Sequence, residues 1–326
     1  MKPVIVTRPV RYDSDDPAIW MDRADPAKSL VIGTDKNVDG SLFVFDLSGA
    51  ILENRCVHGL NRPNNVDVEY GLILKGKPVD IVVVTERGTN KLRIYQLPDM
   101  NPIDNGGIPV FEGENLREPM GIALYRRKSD GNIYAVVSRK KGPTEGYLWQ
   151  YLLQDDGSGV VKGTKVRAFG KWSGKKEIEA IAVDDLAEVV YYSDERFGIR
   201  KYKANPDAEN ADRELAIFGQ SGFAADQEGI AVYDNPAGGV MVIVSDQGGG
   251  ALRVYGSNSI DADQYRFLDS VPFMATETDG IDLCTTIRTS AFPEGLLVAM
   301  SNDHTFQYYS MKELLRHISN GGKQTR

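Results

Sequence analysis

The stretch Ile81-Val-Val-Val-Thr85-Glu-Arg-Gly-Thr-Asn-Lys-Leu-Arg-Ile-Tyr95 decides the fold. A β-branched run ends in a hydroxyl residue and passes through a short polar turn. Alternating apolar positions that finish on an aromatic answer it, as in two antiparallel strands. The first half recurs at Leu30-Val-Ile-Gly-Thr34, Tyr134-Ala-Val-Val-Ser138, Val189-Val-Tyr-Tyr-Ser193, Met241-Val-Ile-Val-Ser245 and Leu296-Leu-Val-Ala-Met-Ser301. The repeated Ser/Thr positions lie 51 to 56 residues apart. A strand repeat of that period predicts propeller blades.

Working outward, another strand start recurs upstream of each Ser/Thr: Asp16-Pro-Ala-Ile19, Asn65-Val-Asp-Val68, Met120-Gly-Ile-Ala123, Glu179-Ala-Ile-Ala182, Glu228-Gly-Ile-Ala231 and Asp279-Gly-Ile-Asp282. A looser fourth segment follows, as in Ala50-Ile-Leu52, Val166-Arg-Ala-Phe169 and Leu215-Ala-Ile-Phe218. The expected architecture is all-β, a six-bladed propeller with four antiparallel strands per blade, in one domain over residues 1–326. After Tyr309, Ser310-Met-Lys-Glu-Leu-Leu-Arg-His317 reads as a short amphipathic helix that leaves no room for a last strand. Val4-Ile-Val6 is therefore expected to complete the sixth blade and close the ring.

A net charge of -8 and a pI near 5.1 argue against a phosphate-backbone binder and favour metal cations as partners. No apolar run approaches the roughly 20 residues of a membrane-spanning helix, so the expected partner is a small molecule, with no nucleic acid and no membrane, and the chain is expected to be a monomer. Cys56 and Cys284 are read as buried small side chains, with pairing left open. Met1-Lys-Pro-Val-Ile-Val-Thr-Arg8 lacks the apolar centre of a signal peptide, which leaves either a cytoplasmic protein or one that begins after a removed signal.

In an up-and-down blade, the start of the inner strand and the link from second to third strand lie at one end. At the second position after the repeated Ser/Thr, the first three blades place Lys36, Arg87 and Lys140 there, and the last three Glu195, Gln247 and Asp303. The inner-strand starts add Asp15, Asp16, Asn64, Asn65, Glu179, Asp226, Glu228, Glu277 and Asp279. So many carboxylates around one channel raise one another's pKa values unless cations sit among them. Hard oxygen donors without clustered His or Cys favour Ca²⁺ or Mg²⁺ over zinc. Three fixed cations opposite carboxylate-bound metals suit an anionic ligand, above all one with several phosphates.

Asp13-Ser-Asp-Asp-Pro-Ala-Ile-Trp20 and Asn64-Asn-Val-Asp67 resemble the signature stretches of the β-propeller (alkaline, calcium-dependent) phytases, and the resemblance runs on, in order, through Val137-Ser-Arg-Lys140, Glu179-Ala-Ile-Ala-Val-Asp-Asp185, Asp226-Gln-Glu-Gly229 and Thr278-Asp-Gly-Ile-Asp282. It implies a six-bladed propeller with several calcium ions on its rim, hydrolysing phosphate from myo-inositol hexakisphosphate by direct attack of an activated water. By that resemblance Asp15, Asp16, Glu179, Glu195, Asp226 and Glu228 match calcium-binding carboxylates, joined here by Asp279 from the repeat. Lys36, Arg87 and Lys140 match phosphate-binding cations, with Arg139 beside them, and Glu179 shares the catalytic role. It also implies an exported protein, extracellular or periplasmic. The chain departs from the family at Met120, Asn37 and Glu69, where a Tyr, a second Lys and an Arg are common, and each departure is expected to remove a phosphate partner. Asp269-Ser-Val-Pro-Phe-Met274 lacks the acidic cluster of an additional calcium loop.

Two other readings stay open at this point. A six-bladed lactonase-like hydrolase would use one central calcium, held by Asn64, Asn65, Glu179 and Asp279, but has no use for three rim cations. A non-catalytic propeller would bind inositol phosphates or proteins on the same rim.

Overall fold

In the computed structural model, which describes residues 1–236, 238–257 and 260–321, each copy of the repeat folds as an antiparallel sheet, of four strands in five blades and of five in the second, where Asn101–Pro102 and Ile108–Pro109 both pair with Lys91–Leu97. The second strands are the apolar runs: Leu30–Asp35, Lys77–Glu86, Ile133–Arg139, Val189–Asp194, Val240–Asp246 and Leu296–Ser301. They read as continuous rather than alternating because both faces are covered. In the second blade Val82 and Val84 pack toward the first blade, and Ile81 and Val83 toward the third. The hydrophobic core is accordingly six layers, one between each pair of neighbouring blades.

Inner strands begin each blade at Ser14–Trp20, Pro63–Leu74, Pro119–Arg126, Ile181–Asp184, Gln227–Asp234 and Ile281–Cys284, and each packs on the next around the central channel. Ile5–Val6 closes the ring by pairing with Thr305–Ser310, Ile5 opposite Tyr308 and Val6 opposite Gln307. The N-terminal strand is thus the outermost strand of the sixth blade, so the two ends of the chain are joined within one sheet, separate from the sheet of the first blade. The helix Met311–Gly321 buries Met311 and Leu314 in the layer between the fifth and sixth blades. The fourth strand of the first blade is Val57–Leu60; Ala50-Ile-Leu52 contributes only an isolated bridge, Ile51 to Phe45. Outermost strands carry the weakest pattern, since one edge faces water. Cys56 and Cys284 are both free thiols.

Two local devices set the channel mouth. The repeated Ser/Thr hydroxyls clasp neighbouring blades: Thr85 donates to the Met120 carbonyl at 2.7 Å, Ser138 to Ile178 at 2.5 Å, Ser193 to Gln227 at 2.6 Å and Ser245 to Thr278 at 2.9 Å. Each accepting carbonyl lies at or just before the inner-strand start of the following blade. The second device is a β-bulge. Register with the second strand shifts between Ser14 and Pro17, Pro63 and Val66, Pro119 and Ile122, and Gln227 and Ile230. Inside these bulges lie Asp15-Asp16, Asn64-Asn65, Met120-Gly121 and Glu228-Gly229. A bulge breaks the in-out alternation and re-aims side chains, so consecutive polar residues can serve one mouth. Gly121 is needed for close approach, because a Cβ there would stand 1.8 Å from the Glu179 carbonyl oxygen.

Candidate active site

The bulges and the links after the second strands bring the predicted residues to one end of the channel. One carboxylate oxygen from each of Glu179, Glu195 and Glu228 lies within 4.8 Å of the other two. Glu195 is fully buried and Glu228 is 3% exposed. Both oxygens of Glu195 and Oε2 of Glu228 have no hydrogen-bond partner among the described residues, as do Oδ2 of Asp15 and Oδ1 of Asn64. Burial, offset in part by Lys176, leaves Glu195 at about 8, and burial followed by the Glu195 and Glu179 charges pushes Glu228 well above its ordinary value. Oxygen-only donors with unsatisfied buried oxygens fit a hard divalent cation.

Each rim cation faces an acid: Lys36 one of its own blade and, farther off, one of the sixth, and Arg87 and Lys140 one across the next blade boundary. Lys36 bonds Asp15 and lies 3.9 Å from Asp279. Arg87 meets Glu118 of the third blade at 3.4 Å, and Lys140 meets Glu177, beside the fourth inner strand, at 2.9 Å. Asp279 also accepts a bond from Gln247 at 2.5 Å; burial, offset in part by Lys36, leaves it at about 6. Asn64 joins the two halves, its amide donating both to Glu179 and, at 2.8 Å, to Asn65. Asp16 lines the channel just inside the mouth, where it accepts the Val66 amide at 3.0 Å, and burial raises its pKa strongly. Asp226 sits in the acidic half and behaves oppositely. Burial would raise it, but Arg196 and Lys176, both at 2.5 Å, hold it below the usual carboxylate range.

Not every predicted residue joins this cluster. Arg139 is 1% exposed, its guanidinium over Phe111 and Trp149 at 4.7 and 5.7 Å and bonded to Glu114 at 3.1 Å. It alternates with Ser138 and Lys140, and so faces into the blade layer. Glu69 lies down the channel among Asp67, Tyr70 and Asp185. It is roughly 13 Å along the strand from Asn65, at about 3.3 Å per residue. The departure at position 69 therefore falls on the channel wall rather than on the rim. Asp303 is exposed and accepts a bond from Thr305 at 2.6 Å. His58 bonds Ser41 and Glu53, outside the mouth.

Lys176 escaped the sequence reading. Its ammonium lies 2.9 Å from Glu195, 2.5 Å from Asp226 and 3.1 Å from Glu228. It belongs to the irregular segment before the fourth inner strand, outside the repeat, so no periodic position marked it. The adjoining charges Lys175-Lys176-Glu177 were the available signal.

A mouth with cations on three blades and buried carboxylates on the opposite blades can bind an anion against metal-bridging oxygens. Comparison with known proteins agrees with that chemistry. The 3-phytase of Bacillus subtilis (strain 168) is 29% identical to this chain over 324 residues, covering 94% of this chain and 81% of that protein. The sequence profile of the phytase family matches residues 6–313. The chain belongs to the phytase family and is a phytase-type phosphatase.

Proposed function

We propose that this protein is a calcium-dependent phosphomonoesterase that releases phosphate from myo-inositol hexakisphosphate or related phosphate esters. The observation that carries the reading is the division of one channel mouth into a cationic half, Lys36, Arg87 and Lys140, and a carboxylate half centred on Glu179, Glu195 and Glu228. A lactone, which carries no anionic oxygens, would give the three cations no reason to face the ligand.

Glu179, Glu195, Asp226 and Glu228 would hold calcium on one side, with Asp15, Asp16 and Asp279 on the other. Bound there, calcium would set positive charge against the phosphoryl oxygens and acidify a water for attack. Lys36, Arg87 and Lys140 exchange their carboxylate partners for phosphoryl oxygens and stabilise the charge that spreads over them in the transition state. Glu179 gives one oxygen to the Asn64 amide. Its other oxygen can accept the proton of the attacking water, which assigns it a catalytic as well as a ligating role. Arg139, packed over Phe111 and Trp149, stiffens the strand end from which Lys140 projects. Chain relatedness to a 3-phytase supports the substrate class, and the family resemblance is the ground for proposing an exported protein, extracellular or periplasmic.

The test is phosphate release from inositol hexakisphosphate by purified protein with calcium, and its loss with chelator. No release at any calcium concentration would overturn the proposal. The double substitution Lys36→Ala with Lys140→Ala should lower turnover by at least about 100-fold while the fold survives, the scale of losing preorganised charge stabilisation.

A further inference from the structure

We propose that Lys176 is a tethered competitor for the divalent cation: its ammonium holds the acidic half of the mouth until metal displaces it, and so sets the metal concentration at which the site fills. The inference rests on the calcium reading above and adds a residue to it.

The geometry carries the argument in three steps. First, the ammonium lies against Glu195, Asp226 and Glu228, two of which belong to the carboxylate triad that fits a cation. Metal and ammonium cannot share those oxygens, because both would sit at ordinary contact distance from the same atoms. Second, the ammonium serves the site incompletely. It meets Glu195 as an ion pair at 2.9 Å that leaves both Glu195 oxygens without a hydrogen-bond partner among the described residues, and among those residues it is the one side-chain cation paired with Glu195 and Glu228, since Arg196 reaches only Asp226. A divalent ion brings twice the charge and takes six to eight oxygens. Third, the ammonium can leave without moving the backbone. The Lys176 carbonyl is held by the Trp172 indole at 2.5 Å, that indole stacks on Tyr147 with ring centroids 5.0 Å apart, and Ser173 is tied to Asp194. The Lys176 side chain is 32% exposed, so rotation about its own bonds carries the charge to solvent.

Exchange of this kind lowers apparent affinity by the fraction of molecules with the site free. An ammonium in place in 90 to 99% of metal-free molecules raises the apparent Kd by about 10- to 100-fold. The experiment is a calorimetric calcium titration of the metal-free full chain and of Lys176→Met, with thermal unfolding in chelator beside it. Lys176→Met should bind calcium about 10- to 100-fold more tightly, in the class of sites lost in Glu228→Gln, and should melt lower than the parent in chelator but not at saturating calcium. Lys176→Arg, which keeps the charge, should stay within a few-fold of the parent. If Lys176→Met does not fold without metal, Lys176→Gln, which retains a hydrogen-bond donor, replaces it. Affinity unchanged within twofold, or weakened, overturns the proposal while leaving the calcium reading intact. Failure of the parent and every variant to take up calcium overturns both.

Discussion

Two groups of carboxylates share one channel and are neutralised by different means. At the mouth, Asp15, Glu195, Asp226, Glu228 and Asp279 face side-chain cations, namely Lys36, Lys176 and Arg196. Farther in, Asp67, Asp185 and Asp282 answer to backbone amides of neighbouring blades. Asp67 accepts from Leu124 at 2.6 Å, Asp282 from Ile19 at 2.7 Å and Asp185 from Arg126 at 3.0 Å. An amide is fixed in the sheet and cannot be exchanged, so the inner acids stitch blades together. An ammonium on a flexible stem can be replaced by a metal ion or drawn off by a phosphate. Charge of one sign becomes scaffold or site according to whether its partner can leave.

The sharpest way to break this contrast is to neutralise one acid of each kind. Glu179→Gln at the mouth should cost at least about 100-fold in turnover, the upper range seen when the support of a metal site is disturbed, with the fold retained by circular dichroism. Asp282→Asn, four strand positions or fewer from the mouth, should leave turnover within about threefold and act mainly on the melting temperature. Comparable losses of turnover from the two would dissolve the distinction.

The next largest effect is on pH dependence. Burial, ahead of the neighbouring acids Asp282 and Asp185, pushes Asp67 up to about 8. Below its unfolded value of 3.8 it is protonated in both states and contributes nothing. Between there and about 8 the unfolded chain gives up the proton while the folded protein keeps it. Asp67 therefore costs stability as pH rises, by up to about 1.4 kcal/mol per pH unit. Glu69 and Asp185, both raised chiefly by burial, add to the trend. Metal-free protein should lose stability from pH 5 to pH 8 in urea unfolding, and Asp67→Asn should flatten that slope. An equal slope in the variant would mean the inner carboxylates are ionised and compensated in a way the amides do not provide.

The blades were legible because the second strands are covered on both faces: Ile81 to Val84 must all be apolar when alternate residues serve opposite neighbours. The halves of the mouth were legible because Lys36, Arg87, Lys140 and Glu195 occupy one repeated position after the clasping Ser/Thr. The bulges were missed, although Asp15-Asp16 and Asn64-Asn65 showed two adjacent polar residues where a half-buried strand alternates. The depth of Glu69 and the inward turn of Arg139 follow from strand rise and from alternation with Ser138, neither of which a family resemblance carries. Lys176 could not be reached that way at all. Its position depends on the irregular path between Lys171 and Glu179, which obeys no period, and only the folded chain shows an ammonium entering a buried triad.

Arg196 provides the finest test of what makes a cation matter at this mouth. Its guanidinium meets Asp226 at 2.5 Å, the same distance as the Lys176 ammonium, yet its side chain is 58% exposed against 32% for Lys176. A cation that stays largely in water is weakened by hydration and screened by salt, whereas one drawn in among several buried carboxylates is screened much less. Arg196 also touches only Asp226 among the three acids that Lys176 bridges. Arg196→Ala should therefore change calcium affinity by no more than about threefold, and raising the salt concentration to about 0.5 M should erase even that difference. A shift as large as that expected for Lys176→Met would show that proximity to Asp226, rather than entry into the buried triad, governs competition for the metal.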